Sequence, residues 1–311
     1  MLPASPTDSP GNPFAVPGQW FRGNLHTHST ESDGALAPEA VLDWHAAHGY
    51  HFVAITDHDR ITAAEPGGSS QVGQQSNSRF LALPGAELSL GRTRQGSPMH
   101  CVAVGLTEEN LPERFDSPGA GVEWVWAQGG FGFVAHPHWS GFSTDELAGL
   151  GEVPAVEIFN TSCARENNKG HALAYWDDLL GRGLRAWGLA TDDSHWRDLD
   201  YEGGWVMAKT GALTASGILG ALRAGHFYST GGPRIEDLRV EAGRLWVRTS
   251  PAAAIYWIGA GRLGWSVHAA PGQSLTEAEF VLKGKPPWLR VEVCDGQGRW
   301  AWSNPLPVGA A

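Results

Sequence analysis

The sequence predicts an α/β barrel followed by a small all-β module. Three observations support this fold class. Short apolar segments alternate with helix-like segments from about residue 20, strand-like segments separated by polar turns follow after about residue 232, and the 311 residues are enough for a sizeable core. Strands that alternate with helices form parallel sheets, and at this length a barrel is favoured over an open sheet. We therefore expect one domain over residues 20–231 and a sandwich-like module over residues 232–311.

The elements of the first domain follow from their apolar patterns. A helix is predicted at residues 38–49, because Pro38 suits the first helical position and Gly49 can end the helix. Further helices are predicted at residues 171–183 and 214–226. Buried strands are predicted at residues 20–25, 50–55, 79–85, 99–105, 130–136, 154–159 and 185–190.

The two ends of the chain differ from this domain in composition and in hydrophobic pattern. Residues 1–19 are rich in proline, serine, aspartate and glycine, which predicts a flexible N-terminal arm. No helical pattern interrupts the last part of the chain, which is typical of a sandwich. Its strand-like runs are residues 232–250, 253–260, 279–284, 288–295 and 299–308.

Composition excludes several classes of protein. The net charge of −11 argues against a partner that is a nucleic acid, because such proteins need a basic surface. No apolar run is long enough to span a bilayer, and the first residues lack the features of a signal peptide, so we expect a cytoplasmic protein without a membrane partner. Cys101, Cys163 and Cys294 stand far apart without CxxC spacing, which excludes a thiolate zinc site and makes a disulfide framework unexpected.

Histidines and carboxylates follow the predicted strands at the point where each strand ends. His26 and His28 stand two residues apart, so their side chains point to the same face of a strand. The carboxyl ends of barrel strands form one rim, which holds the chemistry in such folds. The further polar side chains expected there are Asp57, His58, Glu87, His100, His136, His138, Glu157, Asp192, Asp193 and His195. This number of nitrogen and carboxylate donors on one rim predicts a metal site.

The same residues resemble a known superfamily. The segments "LHTHSTESDG", "AITDHD", "GAELS", "AHPH" and "DDSH" resemble the PHP (polymerase and histidinol phosphatase) superfamily, and the resemblance covers nearly the whole chain from about residue 20. It implies a distorted (β/α)7 TIM-like barrel with a centre of two or three metal ions. The segments "VEIFN", "STGGPR" and "AWSNPLP" are similar to the carbaryl-hydrolase branch, CehA/McbA.

The resemblance implies three metal sub-sites when it is carried over by position. The first would use His26, His28, Glu87 and Asp193, the second Glu87, His100 and His136, and the third Asp33, His58 and His195. Many family members have a histidine where Asp33 stands, which leaves the occupancy of the third sub-site open. His138 and Trp139 stand where phosphatase members often have a basic contact, which weakens the interpretation as a phosphatase.

The predicted metal-ligating side chains indicate a hydrolase. Imidazole and carboxylate ligands suit two or three divalent transition-metal ions, namely zinc, manganese or iron. Two close ions would hold a bridging hydroxide that attacks an ester of a small molecule. We expect a phosphoesterase. The alternatives are a carboxyl- or carbamate-ester hydrolase and a non-catalytic metal-binding or ligand-sensing protein. Glu87, Asp193 and His138 are the expected catalytic residues.

Substrate contacts depend on which of these esters is cleaved. A phosphate needs a cation, for which Arg234 is the first choice and Arg165 the second. An uncharged ester or carbamate needs an apolar wall, for which Trp139 and Trp196 are candidates. Asp57, Asp192 and Glu157 are candidates to orient the ligating histidines, with turn formation or structural hydrogen bonds as the alternative.

Overall fold

Most of the chain belongs to one large sheet and a smaller sheet beside it. The computed structural model describes residues 12–62, 80–106, 111–151, 153, 155–282 and 286–306, and residues 1–11 of the expected arm lie outside these ranges. Within them, 13 strands form the large sheet and three the smaller one. The strands before residue 232 are β1 (Gln19–Asn24), β2 (Phe52–Ile55), β3 (Leu81–Arg92), β4 (Pro98–Val104), β5 (Phe131–Val134), β6 (Ala155–Asn160), β7 (Trp187–Thr191), β8 (Trp205–Thr210) and β9 (Phe227–Thr230).

The large sheet is mixed, whereas the sequence predicted a parallel one. Strands β9 to β7 follow in the order β9-β8-β1-β2-β3-β4-β5-β6-β7. The pairs β1–β2, β2–β3, β5–β6 and β6–β7 are parallel, but β3–β4, β4–β5 and β1–β8 are antiparallel. The direction changes at β4 because a tight turn joins it to β3. In this turn Thr93 N donates to the carbonyl of Ser97 at 2.8 Å. The sequence did not predict β8 and β9, which are short.

The segments that follow β1 and β7 pair with each other, although several strands separate β1 from β7 in the sheet. After β1 and β7 the backbones pair, because Asp193 N donates to the carbonyl of His26 at 2.9 Å and His28 N donates to the carbonyl of Ser194 at 2.9 Å. Ala190 N in β7 also donates to Ser229 Oγ in β9 at 2.9 Å. The sheet therefore curls, and the segments that follow β1 and β7 lie side by side at one rim.

Helices connect many of the strands. They are α1 (Pro38–Ala47), α2 (Pro118–Ala127), α3 (Pro137–Ser140), α4 (Thr144–Ala148), α5 (Thr161–Asn167), α6 (Leu173–Gly181) and α7 (Ala215–Arg223). The three helices that the sequence predicted are confirmed as α1, α6 and α7. The sequence did not predict α2, because its two glycines weaken the helical pattern, or α3, α4 and α5, which are seven residues or shorter. None of the described helices is long and apolar enough to cross a membrane.

The C-terminal strands are joined to the first domain by backbone hydrogen bonds. Strands β10 (Ile235–Glu241), β11 (Arg244–Ala252) and β14 (Leu275–Val281) form the smaller sheet. Strands β12 (Ala254–Gly259), β13 (Gly264–His268), β15 (Leu289–Cys294) and β16 (Trp300–Ser303) extend the large sheet, and β16 pairs with β9. An apolar core that includes Leu238, Val247 and Val291 lies between the two sheets, as in a sandwich. One face of this sandwich is therefore continuous with the sheet that carries the polar rim.

Candidate metal centre

Two histidines and two carboxylates meet at the rim where the segments after β1 and β7 pair. The Nε2 atoms of His26 and His28 lie 3.3 Å apart. Asp193 Oδ1 lies 3.1 Å from the first nitrogen and 3.0 Å from the second. Glu87 Oε2 lies 3.3 Å and 3.2 Å from the same two nitrogens. We call these four residues the inner group.

The carboxylate of Glu87 is shared by further histidines. This side chain is 1% exposed and projects from β3. Its Oε1 atom lies 2.8 Å from His100 Nδ1 and 3.0 Å from His136 Nε2, and its Oε2 atom lies 3.3 Å from His58 Nδ1. His58, Glu87 and His100 form the middle group, whose donor atoms lie within 4.8 Å of one another. His100 reaches this rim from the start of β4 because β4 runs antiparallel to β3.

A more exposed cluster adjoins the other two. Asp33 Oδ2 lies 3.2 Å from His195 Nε2, and Asp33 Oδ1 lies 3.5 Å from His28 Nδ1 and 3.8 Å from His58 Nε2. These four residues form the outer group. The Asp33 side chain is 44% exposed. His28 thus belongs to both the inner and the outer group, with one ring nitrogen facing each.

These three groups bring together the residues that the resemblance singled out, with two differences in membership. The inner group has the residues of the implied first sub-site. In the middle group His58 takes the place of His136, although His136 contacts the same Glu87 oxygen as His100. In the outer group His28 joins the implied third sub-site. No described residue after position 231 belongs to any of the three groups.

The donor atoms fit metal ions. Nitrogen and oxygen ligands held about 2.0–2.1 Å from a tetrahedral ion stand about 3.3 Å apart, close to the 3.0–3.3 Å measured in the inner group. When Nδ1 of His26 donates to Glu157, Nε2 of the neutral ring carries a lone pair that faces Nε2 of His28 and the carboxylates of Glu87 and Asp193. Buried Nδ1 of His100 lies 2.8 Å from Glu87 Oε1 but forms no hydrogen bond of good geometry with any described residue. Ions would satisfy these nitrogens.

The electrostatics of the centre also favour cations. Burial lowers the pKa of His28, but hydrogen bonds to Asp193 and Glu87 outweigh it and raise the pKa to about 9. Burial likewise lowers the pKa of His26, but the charges of Asp193, Glu87 and Glu157 raise it well above its usual value. Burial raises the pKa of Glu87, yet the charges of His100 and His26 hold it well below its usual value. The buried carboxylates of Glu87, Asp193 and Glu157 therefore favour positive charge on their neighbours, which protons on the histidines or bound cations can supply.

Glu157 orients two of the histidines. Its Oε1 atom accepts from His26 Nδ1 at 2.7 Å, and its Oε2 atom accepts from the backbone N of His136 at 2.7 Å. Asn160 Nδ2 donates to Glu157 Oε2 at 2.9 Å and to Asp193 Oδ2 at 3.0 Å. The sequence analysis missed Asn160, although a polar residue at the end of β6 is the same kind of signal that identified the others. This carboxylate fixes the His26 ring so that Nε2 faces the inner group.

Asp57 and Asp192 hold loops and do not touch the ligating rings. Asp57 accepts from Ser29 N at 2.8 Å and from the hydroxyls of Ser29 and Ser32, both at 2.6 Å. Asp192 accepts from Asn24 Nδ2 at 2.6 Å and from three successive backbone N–H groups of residues 202–204 at 2.9 Å. Burial raises the pKa of Asp192 to about 6. Of the two alternatives left open for these residues, their contacts match turn formation.

Two of the candidate metal-ligating residues have strained backbones. His136 has φ +28° and Asp193 has φ +54°, in the region that side chains other than glycine rarely adopt. Such conformations persist only where surrounding contacts hold them, and they cluster at functional sites. Here the hydrogen bond that His136 N donates to Glu157 and the one that Asn160 donates to the Asp193 carboxylate supply those contacts.

A cavity of about 590 Å³ opens beside the outer group. It is lined by Asp33 and His195 of that group, and by Ser162, Arg165, Glu166, Arg197, Asp198, Leu199 and Asp200. Arg197 donates to the carbonyl of Asp33. The sequence analysis missed Arg197, because nothing in its local pattern distinguishes it from other surface arginines.

The predicted substrate and acid–base residues fall in different places. Arg165 lines the cavity, but Arg234 directly precedes β10, is 65% exposed and pairs with Glu236 at 3.3 Å. Trp139 packs edge-on against the ring of His136 with centroids 5.0 Å apart. Trp196 packs against Trp44 and donates to the carbonyl of His28 at 3.0 Å.

His138 belongs to none of the three groups in the described part of the chain. Its Nδ1 atom lies 2.9 Å from the carbonyl of His171. The structure therefore does not bring Arg234 to the cavity or His138 into the clusters, and their roles stay predictions.

Comparison with solved structures shows a likeness in fold to one two-domain protein over most of the chain. No protein-family model matches the chain, and no curated protein matches it. One similar solved structure is a two-domain protein from Bacteroides vulgatus ATCC 8482, described as containing a predicted PHP-like metal-dependent phosphoesterase. It has a TM-score of 0.51 and 16% identity, with 96% of this chain and 91% of that chain covered.

Two other similar structures cover less of the chain. An amidohydrolase from Chromobacterium violaceum has a TM-score of 0.39, 18% identity, and coverage of 56% and 87%. A metal-dependent phosphoesterase, so described, from Bifidobacterium adolescentis ATCC 15703 has a TM-score of 0.38, 15% identity, and coverage of 56% and 87%.

Proposed function

We propose that this protein is a metal-dependent hydrolase of the PHP type that cleaves ester bonds in small molecules. The observation that carries the proposal is the environment of Glu87. Its buried carboxylate lies 2.8–3.3 Å from ring nitrogens of five histidines, namely His26, His28, His58, His100 and His136. A buried carboxylate shared among so many imidazoles is typical of a centre that holds more than one metal ion.

The overall likeness to the two-domain Bacteroides vulgatus protein supports this proposal at the level of the fold. Under this proposal, the curled sheet of β1 to β9 in this chain corresponds to the distorted (β/α)7 barrel of the PHP superfamily. The antiparallel strand pairs are the distortion. Residues 20–231 are then the hydrolase domain and residues 232–311 a β module fused to it. Assignment to the carbaryl-hydrolase branch is part of the proposal and rests on the sequence motifs.

In this proposal the residues of the centre have different roles. The inner and middle groups, which share Glu87, would hold two divalent ions of zinc, manganese or iron, and the outer group could hold a third. When bound, such ions supply an activated water at neutral pH and positive charge near the transition state. Glu157 keeps His26 oriented, and Asn160 keeps Asp193 oriented. Buried surroundings exclude bulk water from all four residues of the inner group.

A phosphoester is the favoured substrate class. The described phosphoesterase domain of the Bacteroides vulgatus protein supports it, as does a cavity whose lining includes charged side chains. A carboxyl or carbamate ester is the second candidate, because Trp139 presents an aromatic wall directly against His136. We propose no nucleic-acid partner because the net charge is −11.

A substrate panel tests the proposal. Protein stripped of metal is reloaded with zinc, manganese or iron(II) and assayed on 4-nitrophenyl phosphate, bis(4-nitrophenyl) phosphate, 4-nitrophenyl acetate and phenyl methylcarbamate, with Asp193→Asn as the inactive control. Phosphatase activity that depends on metal and on Asp193 supports the favoured class. Activity on the acetate or carbamate alone, lost in Trp139→Ala, selects the second class. Retained metal without hydrolysis of any ester selects a metal-binding or sensing protein.

A further inference from the structure

The cavity beside the outer group contains an arginine that has no partner among the described residues. Arg165 projects from α5, and no described side chain forms an ion pair or hydrogen bond with its guanidinium. Other surface arginines of this chain are paired, for example Arg182 with Asp178 and Arg234 with Glu236. An unpaired guanidinium in a cavity wall is free to bind an anion from solution.

The acidic residues around the cavity are mostly engaged elsewhere. Glu166 Oε2 accepts from the indole of Trp139 at 2.9 Å. Asp200 accepts from the backbone N of His195 at 2.7 Å and of Trp196 at 3.2 Å. Asp33 faces the histidines of the outer group. Asp198 is exposed, and it is the remaining carboxylate among the residues that line the cavity. Three of the four carboxylates that line the cavity are thus engaged with other groups, and no described carboxylate pairs with Arg165.

A second arginine lies in the same wall. Arg197 follows His195 in the loop after β7 and reaches the backbone carbonyl of Asp33. One guanidinium can donate to that carbonyl and still present its other N–H groups, because arginine carries five donors. Both arginines are exposed, whereas the donors of the inner group are buried. A ligand that fills the cavity therefore meets the buried centre with one part and the arginines with another.

We propose that Arg165 and Arg197 bind an anionic group of the substrate that is separate from the ester being cleaved. The substrates are then small molecules with a second negative charge, such as a carboxylate or a further phosphate. This inference rests on the hydrolase function proposed above and adds the specificity of the same site. It makes the cavity wall, and not the metal centre, the part that selects the substrate.

Matched pairs of substrates test the inference. Phenyl phosphate is compared with 4-carboxyphenyl phosphate, and phenyl acetate with 4-acetoxybenzoate, so that each pair differs only in the distal carboxylate. We expect the wild type to prefer the charged member in kcat/KM. Arg165→Ala should reduce this preference about 10- to 100-fold, the value of a charge-assisted hydrogen bond, by raising KM for the charged member. Arg197→Gln should act in the same direction.

Controls separate this inference from the hydrolase proposal. Arg248→Ala removes an exposed arginine from β11 and should keep the preference. Metal content of each variant shows whether loss of Arg197 has moved Asp33. Calorimetric binding of phenylphosphonate and 4-carboxyphenylphosphonate to the metal-loaded protein gives a readout without turnover. Equal binding of both phosphonates, or an unchanged preference in Arg165→Ala, overturns the inference even when hydrolysis is observed. Preferential binding that depends on Arg165 supports it even when no ester is cleaved.

Discussion

Nδ1 of His26 lies 2.7 Å from Oε1 of Glu157, so a buried carboxylate in the middle of β6 sets the orientation of an imidazole that follows β1. Both oxygens of Glu157 accept hydrogen bonds. Oε1 accepts hydrogen bonds from Nδ1 of His26 and the hydroxyl of Thr191, and Oε2 accepts them from the backbone N of His136 and the side-chain amide of Asn160. A carboxylate can accept all four bonds, whereas an amide can accept at only one of its two heavy atoms.

Glu157→Gln should therefore weaken metal binding. Either orientation of the glutamine points its NH2 group at donors, which frees the His26 ring to turn. We expect a loss of about 10- to 100-fold in metal affinity, as is usual when the partner of a ligating histidine is changed. Competition with a chromogenic chelator measures it. The same change at exposed Glu123 of α2 is the control, and an affinity as high as that of the control would show that Glu157 does not orient the ligand.

Glu87→Gln should remove more metal than Asp33→Asn. Glu87 is buried and contacts five histidines, whereas Asp33 is partly exposed and belongs only to the outer group. Elemental analysis of the wild type should find two or three ions per chain. Asp33→Asn should lose at most one of them, and Glu87→Gln should lose more and also lose hydrolysis. Equal losses in the two variants would contradict a shared role for Glu87.

The stability of the protein should fall between pH 7 and pH 5 because of His45. This histidine is buried against Tyr50 and Trp196, and burial lowers its pKa to about 4. The unfolded chain, with a histidine pKa of about 6.5, binds the proton more readily, so stability is full above pH 6.5 and is lost as the pH falls below it. The expected loss from this group by pH 5 is about 2 kcal/mol.

Denaturant unfolding of the wild type and His45→Leu at both pH values measures this effect. The leucine variant should lose about 2 kcal/mol less between pH 7 and pH 5 than the wild type does. His48→Leu, on the exposed side of the same helix end, is the matched variant. A pH-dependent loss of the same size in His45→Leu and the wild type would rule out His45 as the source.

Arg290→Met should destabilise the chain as a whole. Arg290 is 2% exposed in β15, donates to Glu292 through Nε at 2.9 Å, and pairs with Asp177 of α6. Its removal leaves the Glu292 carboxylate buried without its cation, which typically costs about 3–5 kcal/mol. Because α6 belongs to the first domain, thermal unfolding should stay a single transition that shifts to lower temperature.

The double variant Arg290→Met/Glu292→Leu separates charge from packing. Removing both charges should recover part of the stability lost in the single variant, because apolar residues of similar volume replace buried ion pairs at little cost. A double variant that recovers none of the lost stability would show that the loss comes from the packing of Arg290 against Trp176 and Trp288 and not from the unpaired charge.

The sequence by itself determined which side chains could form the centre and which segments are buried strands. The two-residue spacing of His26 and His28 places them on one face, and alternation of apolar segments with polar strand ends is visible within a few residues. The same local patterns identified α1, α6 and α7. They did not identify β8, β9 or the glycine-containing α2, whose patterns are short or weak.

Only the tertiary structure decided how these pieces meet. The contacts of His26 with Asp193 and Glu157 join residues more than 100 positions apart, and the direction of β4 brings His100 to the rim from the start of its strand. For the same reason Arg165 and Arg197, and not Arg234, line the cavity. Side-chain alternation is a local property of the backbone, whereas strand direction and the closing of the sheet depend on pairing between distant segments.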